Sequence, residues 1–227
     1  MTILACFRSA SKRLLAQDQT SLFTGTSAFQ LKMQEIFADA ARDLAQDQDW
    51  RALTRLCQLP SDGQTQDFDL PDDYGRMLIN GAVQSVVWSV YYEAMPDLNE
   101  WLLIKDFIPS DIPGYWNISG GQMHLIPAPA SEDVPQFWYI TKNIVTAIDG
   151  TGKTSFERDD DSFALDEPLL TLSAIWRWKQ AEGLDYQEDM QNYEIRKSQL
   201  GTKDKGSTVI RPGLRNSYRR GIWSLSR

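Results

Sequence analysis

The chain of 227 residues is long enough for one large domain or two small ones, and its 42% apolar share is that of a protein with a buried core. A net charge of −8 argues against a protein that coats nucleic acid, and no stretch approaches the roughly 18 to 20 uninterrupted apolar residues of a membrane span. Two cysteines, Cys6 and Cys57, without CxxC spacing and with one histidine in the chain, speak against a disulfide framework and a structural zinc site.

The start, "MTILACFRSASKRLL", spreads its apolar residues at helical intervals instead of gathering them into a signal-peptide block, so synthesis and use in a cytoplasm are expected. Ile3, Phe7 and Leu14 share a stripe, with Ala10 and Ser11 between them, which predicts an amphipathic helix of about four turns. After a polar loop, Ser27 and Gln30 form a capping box ahead of Phe29, Met33, Ile36, Phe37, Ala40 and Leu44. Lys32, Glu35, Asp39, Arg42 and Asp43 mark the solvated face of that second helix.

Beyond "DQDW" the period turns from helical to alternating, and Asp62-Gly63 supplies the turn residues of a hairpin. Strands are expected in "YGRMLINGAVQSVVWSVYY", in "YWNISGGQMHLIPAP" around a Gly120-Gly121 turn, and in "QFWYITKNIVTAI". Between them "MPDLNEWLLIKDF" reads as a short helix, and prolines at 109, 113, 127, 129 and 135 keep the strands short. Helix signals return at Asp166, a cap with Pro168 in the first turn and Gly183 as the stop. Asp185 and Glu188 form a second capping box, with Gly201 as the stop of the last helix.

The order helix, helix, β segment, helix, helix predicts an α+β protein: a four-helix bundle with an inserted antiparallel β domain and an extended C-terminal arm. The parts are an N-terminal helical pair at 1–50, the β domain at 51–150, a C-terminal helical pair at 151–200 and the arm at 201–227. The arm holds Lys203, Lys205, Arg211, Arg215, Arg219, Arg220 and Arg227 against Asp204, a charge of +6 that leaves −14 on the body. Its apolar residues, among them Val209, Ile210, Leu214, Ile222 and Trp223, suit a segment that becomes ordered on another chain.

"AIDGTGKT", residues 147–154, has the letters of a phosphate loop. Such a loop needs a helix at once behind it, so that backbone N–H groups and the helix N-terminus face the anion. Here "SFERDDDSFALDEP" follows, with the next helix start at Asp166 and with Asp159, Asp160 and Asp161 setting negative charge nearby without a basic counterweight. The expectation is a Gly-rich turn in which Gly150 and Gly152 bend the chain and Lys153 is a surface charge. His124 reads as a surface or rim residue more than as a base. The carboxylates at 71–73 and 159–161 could hold a divalent ion, though such runs are usually solvated. Trp176 and Trp178 lie about 200° apart on their helix, so one faces the core and the other a helix or subunit.

The run "FERDDDSFALDEPLL" followed by "IWRWK" and "GLDYQEDMQNYE", with "LPDDY" and "PGYWNISGGQMHLIPAP" upstream, resembles the head-to-tail adaptor proteins of tailed bacteriophages over roughly residues 1–200. The stretch 82–108 matches only loosely. The resemblance implies a structural virion protein at the head-tail junction, assembled in the bacterial host cytoplasm. Its partners would be the portal, tail or nozzle proteins and neighbouring copies in a ring, usually of twelve, with double-stranded DNA passing through unbound. No catalytic residue, cofactor, metal or membrane is implied. The arm would grip the portal through Ile210, Arg211, Arg215, Tyr218, Arg219, Arg220, Ile222 and Trp223, and Trp176, Trp178, Tyr186 and Tyr193 are candidates for contacts between subunits. A carboxylate-lined channel would let DNA slide by repelling its phosphates. Two rival readings are a DNA-binding packaging factor acting through the basic tail and a nucleotide-binding enzyme.

Overall fold

The computed structural model describes residues 2–104 and 114–205. The protein is α+β, and the described residues form five helices and eleven strands. The chain divides into two compact units. Unit 1 comprises the residues up to Arg55, Asp73–Leu78, and the chain from Ile140 through the last helix; unit 2 is built on Leu56–Asp72 and Ile79–Tyr139.

Unit 1 begins with α1 (Ile3–Leu15), which buries Ile3, Cys6, Phe7, Ala10 and Ser11. Thr2 provides no side-chain cap, and the first N–H groups are satisfied from afar: Ile3 donates to the Asp161 carbonyl at 2.7 Å and Leu4 to that of Asp159 at 3.3 Å. α2 (Ala28–Asp47) opens on the expected reciprocal capping box of Ser27 and Gln30 and buries Met33, Phe37, Ala40, Ala41 and Leu44. α4 (Glu167–Ala181) is capped by Asp166, whose carboxylate accepts the Leu169 N–H at 2.8 Å, and it ends at Gly183 with φ of 70°. It packs against α1, against α2 and against α5 (Gln187–Lys205), so its buried residues Leu169, Leu170, Ala174, Ile175 and Trp178 lie at the centre of the helical core.

α5 corrects two expectations. Asp185 accepts only the Gln187 N–H, at 3.2 Å, in place of a capping box. Gly201 does not stop the helix, which runs on to Lys205. A Cβ at Gly201 would come within 3.0 Å of the Gln48 side chain, so glycine serves close packing there rather than termination.

The strands are β1 (Thr54–Gln58), β2 (Asp67–Asp69), β3 (Tyr74–Met77), β4 (Val83–Gln84), β5 (Tyr91–Ala94), β6 (Tyr115–Ser119), β7 (Gln122–Ile126) and β8 (Gln136–Thr141), in the order β1-β8-β4-β5-β6-β7-β2 with β3 also on β8. The short helix α3 (Leu98–Ile104) stands where it was expected. The sheet is mixed, not antiparallel throughout: β5 and β6 run parallel, pairing Glu93 with Tyr115 and Ala94 with Trp116. The physical reason is the crossover between them, which starts with α3 and is long enough to return the chain in the same direction. β6 and β7 form the predicted hairpin, with positive φ at Gly120 and Gly121. Asp62-Gly63 is a turn but not a hairpin, because β1 lies beside β8 and β2 beside β7.

Three two-residue strands complete unit 1, in the order β10-β9-β11: β9 (Val145–Thr146), β10 (Gly152–Lys153) and β11 (Ser162–Phe163). Val145 and Phe163 join the helical core from this small sheet.

Candidate functional site

"AIDGTGKT" is the turn between β9 and β10, with Gly152 opposite Thr146 and Lys153 opposite Val145. The N–H of Gly150 donates to the Ala147 carbonyl at 3.0 Å, and those of Ala147 and Thr151 are likewise spent within the turn. No helix follows until Glu167. Lys153 is not a free surface charge: its ammonium lies 3.2 Å from Asp161 and 3.0 Å from Glu157, and Asp161 is buried. The aspartate run therefore does have a basic counterweight. The reason is topological, since β10 and β11 flank the same strand, β9, and this brings Lys153 and Asp161 together.

Burial would raise Asp161, but the N–H groups of Glu157 and Arg158, at 2.7 and 2.9 Å, together with Lys153 hold it below the ordinary carboxylate value. The hydrogen bond that Lys153 donates to the Glu157 carboxylate raises Lys153 most, against its partial desolvation, and Asp161 adds to that rise. A lysine held in this way is occupied with closing a loop, and a triphosphate would have to displace both carboxylates.

Asp159 has a different task. Its carboxylate accepts the Ser21 hydroxyl and the N–H groups of Leu22, at 2.8 Å, and Phe23, at 3.1 Å, while the Thr24 N–H donates to the Ser21 Oγ. Asp133, 1% exposed, repeats this arrangement in unit 2. It accepts the Ser85 hydroxyl at 2.6 Å and the N–H groups of Val86 and Val87 at 2.9 and 3.1 Å, and the Trp88 N–H donates to the Ser85 Oγ. Of the 159–161 run only Asp160 is solvated, and in the 71–73 stretch Asp73 accepts the Thr141 hydroxyl. Among the described residues no three His, Cys, Asp or Glu side chains converge as a metal cage.

His124 stands opposite Asp67 in the β2–β7 pair, with Nδ1 2.6 Å from the carboxylate and Nε2 3.2 Å from the Ser119 carbonyl, so both ring nitrogens are engaged. Both cysteines are buried, and burial pushes the Cys6 thiol up to about 11. Trp178 lies in the helical core, edge-on to Phe29 at 5.8 Å. Trp176, half-buried, joins Tyr186 and Tyr193 in one aromatic cluster between α4 and α5, with the Arg177 guanidinium 5.0 Å from its ring. The arm residues Ile210, Arg211, Arg215, Tyr218, Arg219, Arg220, Ile222 and Trp223 lie outside the described residues.

The surface that sequence reasoning missed is in unit 2. The Ser85–Trp88 turn presents Val86, Val87 and Trp88, each about half exposed. The pairings Gln84 with Tyr91 and Gln84 with Gln136 place these three on one face, and the strand period adds Glu93 and Trp138 to it. Tyr91 and Trp138 are each 52% exposed, whereas Val83, Tyr92 and Phe137 on the opposite face are buried. Residues 79–92 carry no charge at all, and the described residues of unit 2 hold nine carboxylates without one lysine or arginine. The full sequence of residues 56–72 and 79–139 shows the same bias, eleven carboxylates against Lys105, but averaging over the whole body concealed it.

A search of the curated proteins finds no match. The family model described as SU10 adaptor protein matches residues 1–213, nearly the whole chain, and the chain belongs to that family of phage head-tail adaptors.

Proposed function

We propose that this SU10-family adaptor is a structural virion protein that forms a ring below the portal, joins the capsid to the tail and lets DNA pass through its channel. The observation that carries the reading is the family match over residues 1–213. The family is structural, and its members as adaptors meet portal and tail proteins. A ring of twelve, a bundle formed by α1, α2, α4 and α5, and subunit contacts through the Trp176, Tyr186 and Tyr193 cluster belong to the proposal, with Trp178 supporting them from the core. So does portal attachment by the arm. The excess of carboxylates among the described residues of unit 2 suits a surface that DNA passes without sticking, because like charge repels the phosphates.

An electron micrograph of the purified protein mixed with its portal tests this. A ring stacked on the narrow end of the portal is expected, and a monomer that leaves the portal bare would overturn it. Removing residues 206–227 is expected to abolish the stacking.

A further inference from the structure

This surface of unit 2 has the composition of an interface core: Tyr91 and Trp138 lie exposed on one face of the sheet, and the Ser85–Trp88 turn, in the uncharged stretch 79–92, exposes Val86, Val87 and Trp88. It is also built rather than loose. Ser85 and Asp133, both buried, fix the turn that carries Val86, Val87 and Trp88, so the apolar groups are held outward before any partner arrives.

Charge narrows the choice of occupant. The face carries Glu93 and lies in a unit with no described lysine or arginine, so nucleic acid and anionic lipid are repelled. Two copies of unit 2 face to face would set carboxylate against carboxylate. The occupant must be cationic and bear apolar anchors. One segment of the chain combines these properties: residues 206–227, which directly follow α5, hold five arginines, no acid, and Val209, Ile210, Leu214, Tyr218, Ile222 and Trp223. Twenty-two residues reach up to about 70 Å when extended.

We propose that residues 206–227 dock on this face of unit 2, with their apolar residues against Trp88, Tyr91 and Trp138 and their arginines toward Glu93. The arm then has a seat on the adaptor itself, independent of any portal. Guanidinium groups stack on aromatic rings and pair with carboxylates, which this surface offers side by side.

The test uses the full-length chain with photoreactive benzoylphenylalanine in place of Trp223, irradiated in the absence of portal and mapped by mass spectrometry. Linkages into peptides covering residues 85–92 and 136–139 are expected. Their yield should fall about tenfold or more in the double variant Trp88→Ser, Trp138→Ser, and also in molar salt. Circular dichroism confirms that the double variant is folded. Linkage confined to other parts of the chain, no linkage at all, or unit 2 linkage that survives the double substitution overturns the proposal. No portal enters the experiment, so its failure leaves the adaptor reading intact.

Discussion

Ser21–Thr24 in unit 1 and Ser85–Trp88 in unit 2 are the same device used to opposite ends. In each, a serine hydroxyl and two successive N–H groups converge on one distant carboxylate, and the fourth residue bonds back to the serine. In unit 1 the turn delivers Leu22, fully buried, into the helical core. In unit 2 it delivers Val86, Val87 and Trp88 to solvent. A turn that needs a buried carboxylate to hold apolar groups in water gains nothing for the fold from those groups, and the difference is best explained by a partner.

Charge divides along the same line. Unit 1 ties its helices together with ion pairs, Lys32 to Glu182, Arg177 to Asp43, Arg196 to Asp166 and Lys197 to Asp47. Each partly exposed pair adds only a few tenths of a kcal/mol to about 1 kcal/mol, but the set balances the surface. The described residues of unit 2 include no lysine or arginine with which to form such pairs.

Five measurements test this contrast. Phe37→Ala, in the helical core, is expected to cost about 3 to 5 kcal/mol in urea unfolding. Asp133→Ala should cost about 2 to 3 kcal/mol, because it strands buried donors, and Asp159→Ala should cost less, because Asp159 is only partly buried and water can replace part of what it accepts. The reverse order would mean that the two turns are not equivalent devices. Acid provides a third. The Asp161 value is lowered on folding, so its contribution is complete above the ordinary carboxylate range and is lost as pH falls through the folded value. The decline of the urea midpoint on acidification should accordingly be shallower in Asp161→Asn. Ser27→Ala removes the capping box and should cost about 1 kcal/mol. Trp88→Ser should change stability by no more than about 0.5 kcal/mol, since the side chain serves no core; a larger loss would assign it a structural role.

What was legible in the sequence was local. The Ser27 and Gln30 box, the stripe of α2, the Asp166 cap and the Gly120-Gly121 turn depend on residues a few positions apart, and all stand as read. Gly201 misled because a glycine reads alike whether it ends a helix or lets another side chain approach. Asp133 lies 48 positions from Ser85 and Asp159 lies 137 from Leu22, and no local pattern announces such pairs. The Lys153–Asp161 pair is close in sequence, yet only the shared strand β9 makes it a pair.

The carbonyls of Asp159 and Asp161 that receive the first N–H groups of α1 also set a timetable. On the ribosome the start of α1 is made well before the residues that complete it, which follow more than 150 positions later. At roughly 5 to 20 residues per second, that is a wait on the order of ten seconds or more. α1 is made long before it is finished, so a copy cut short before residue 159 would keep an unsealed end on that helix, and only a chain translated past Asp161 could close it.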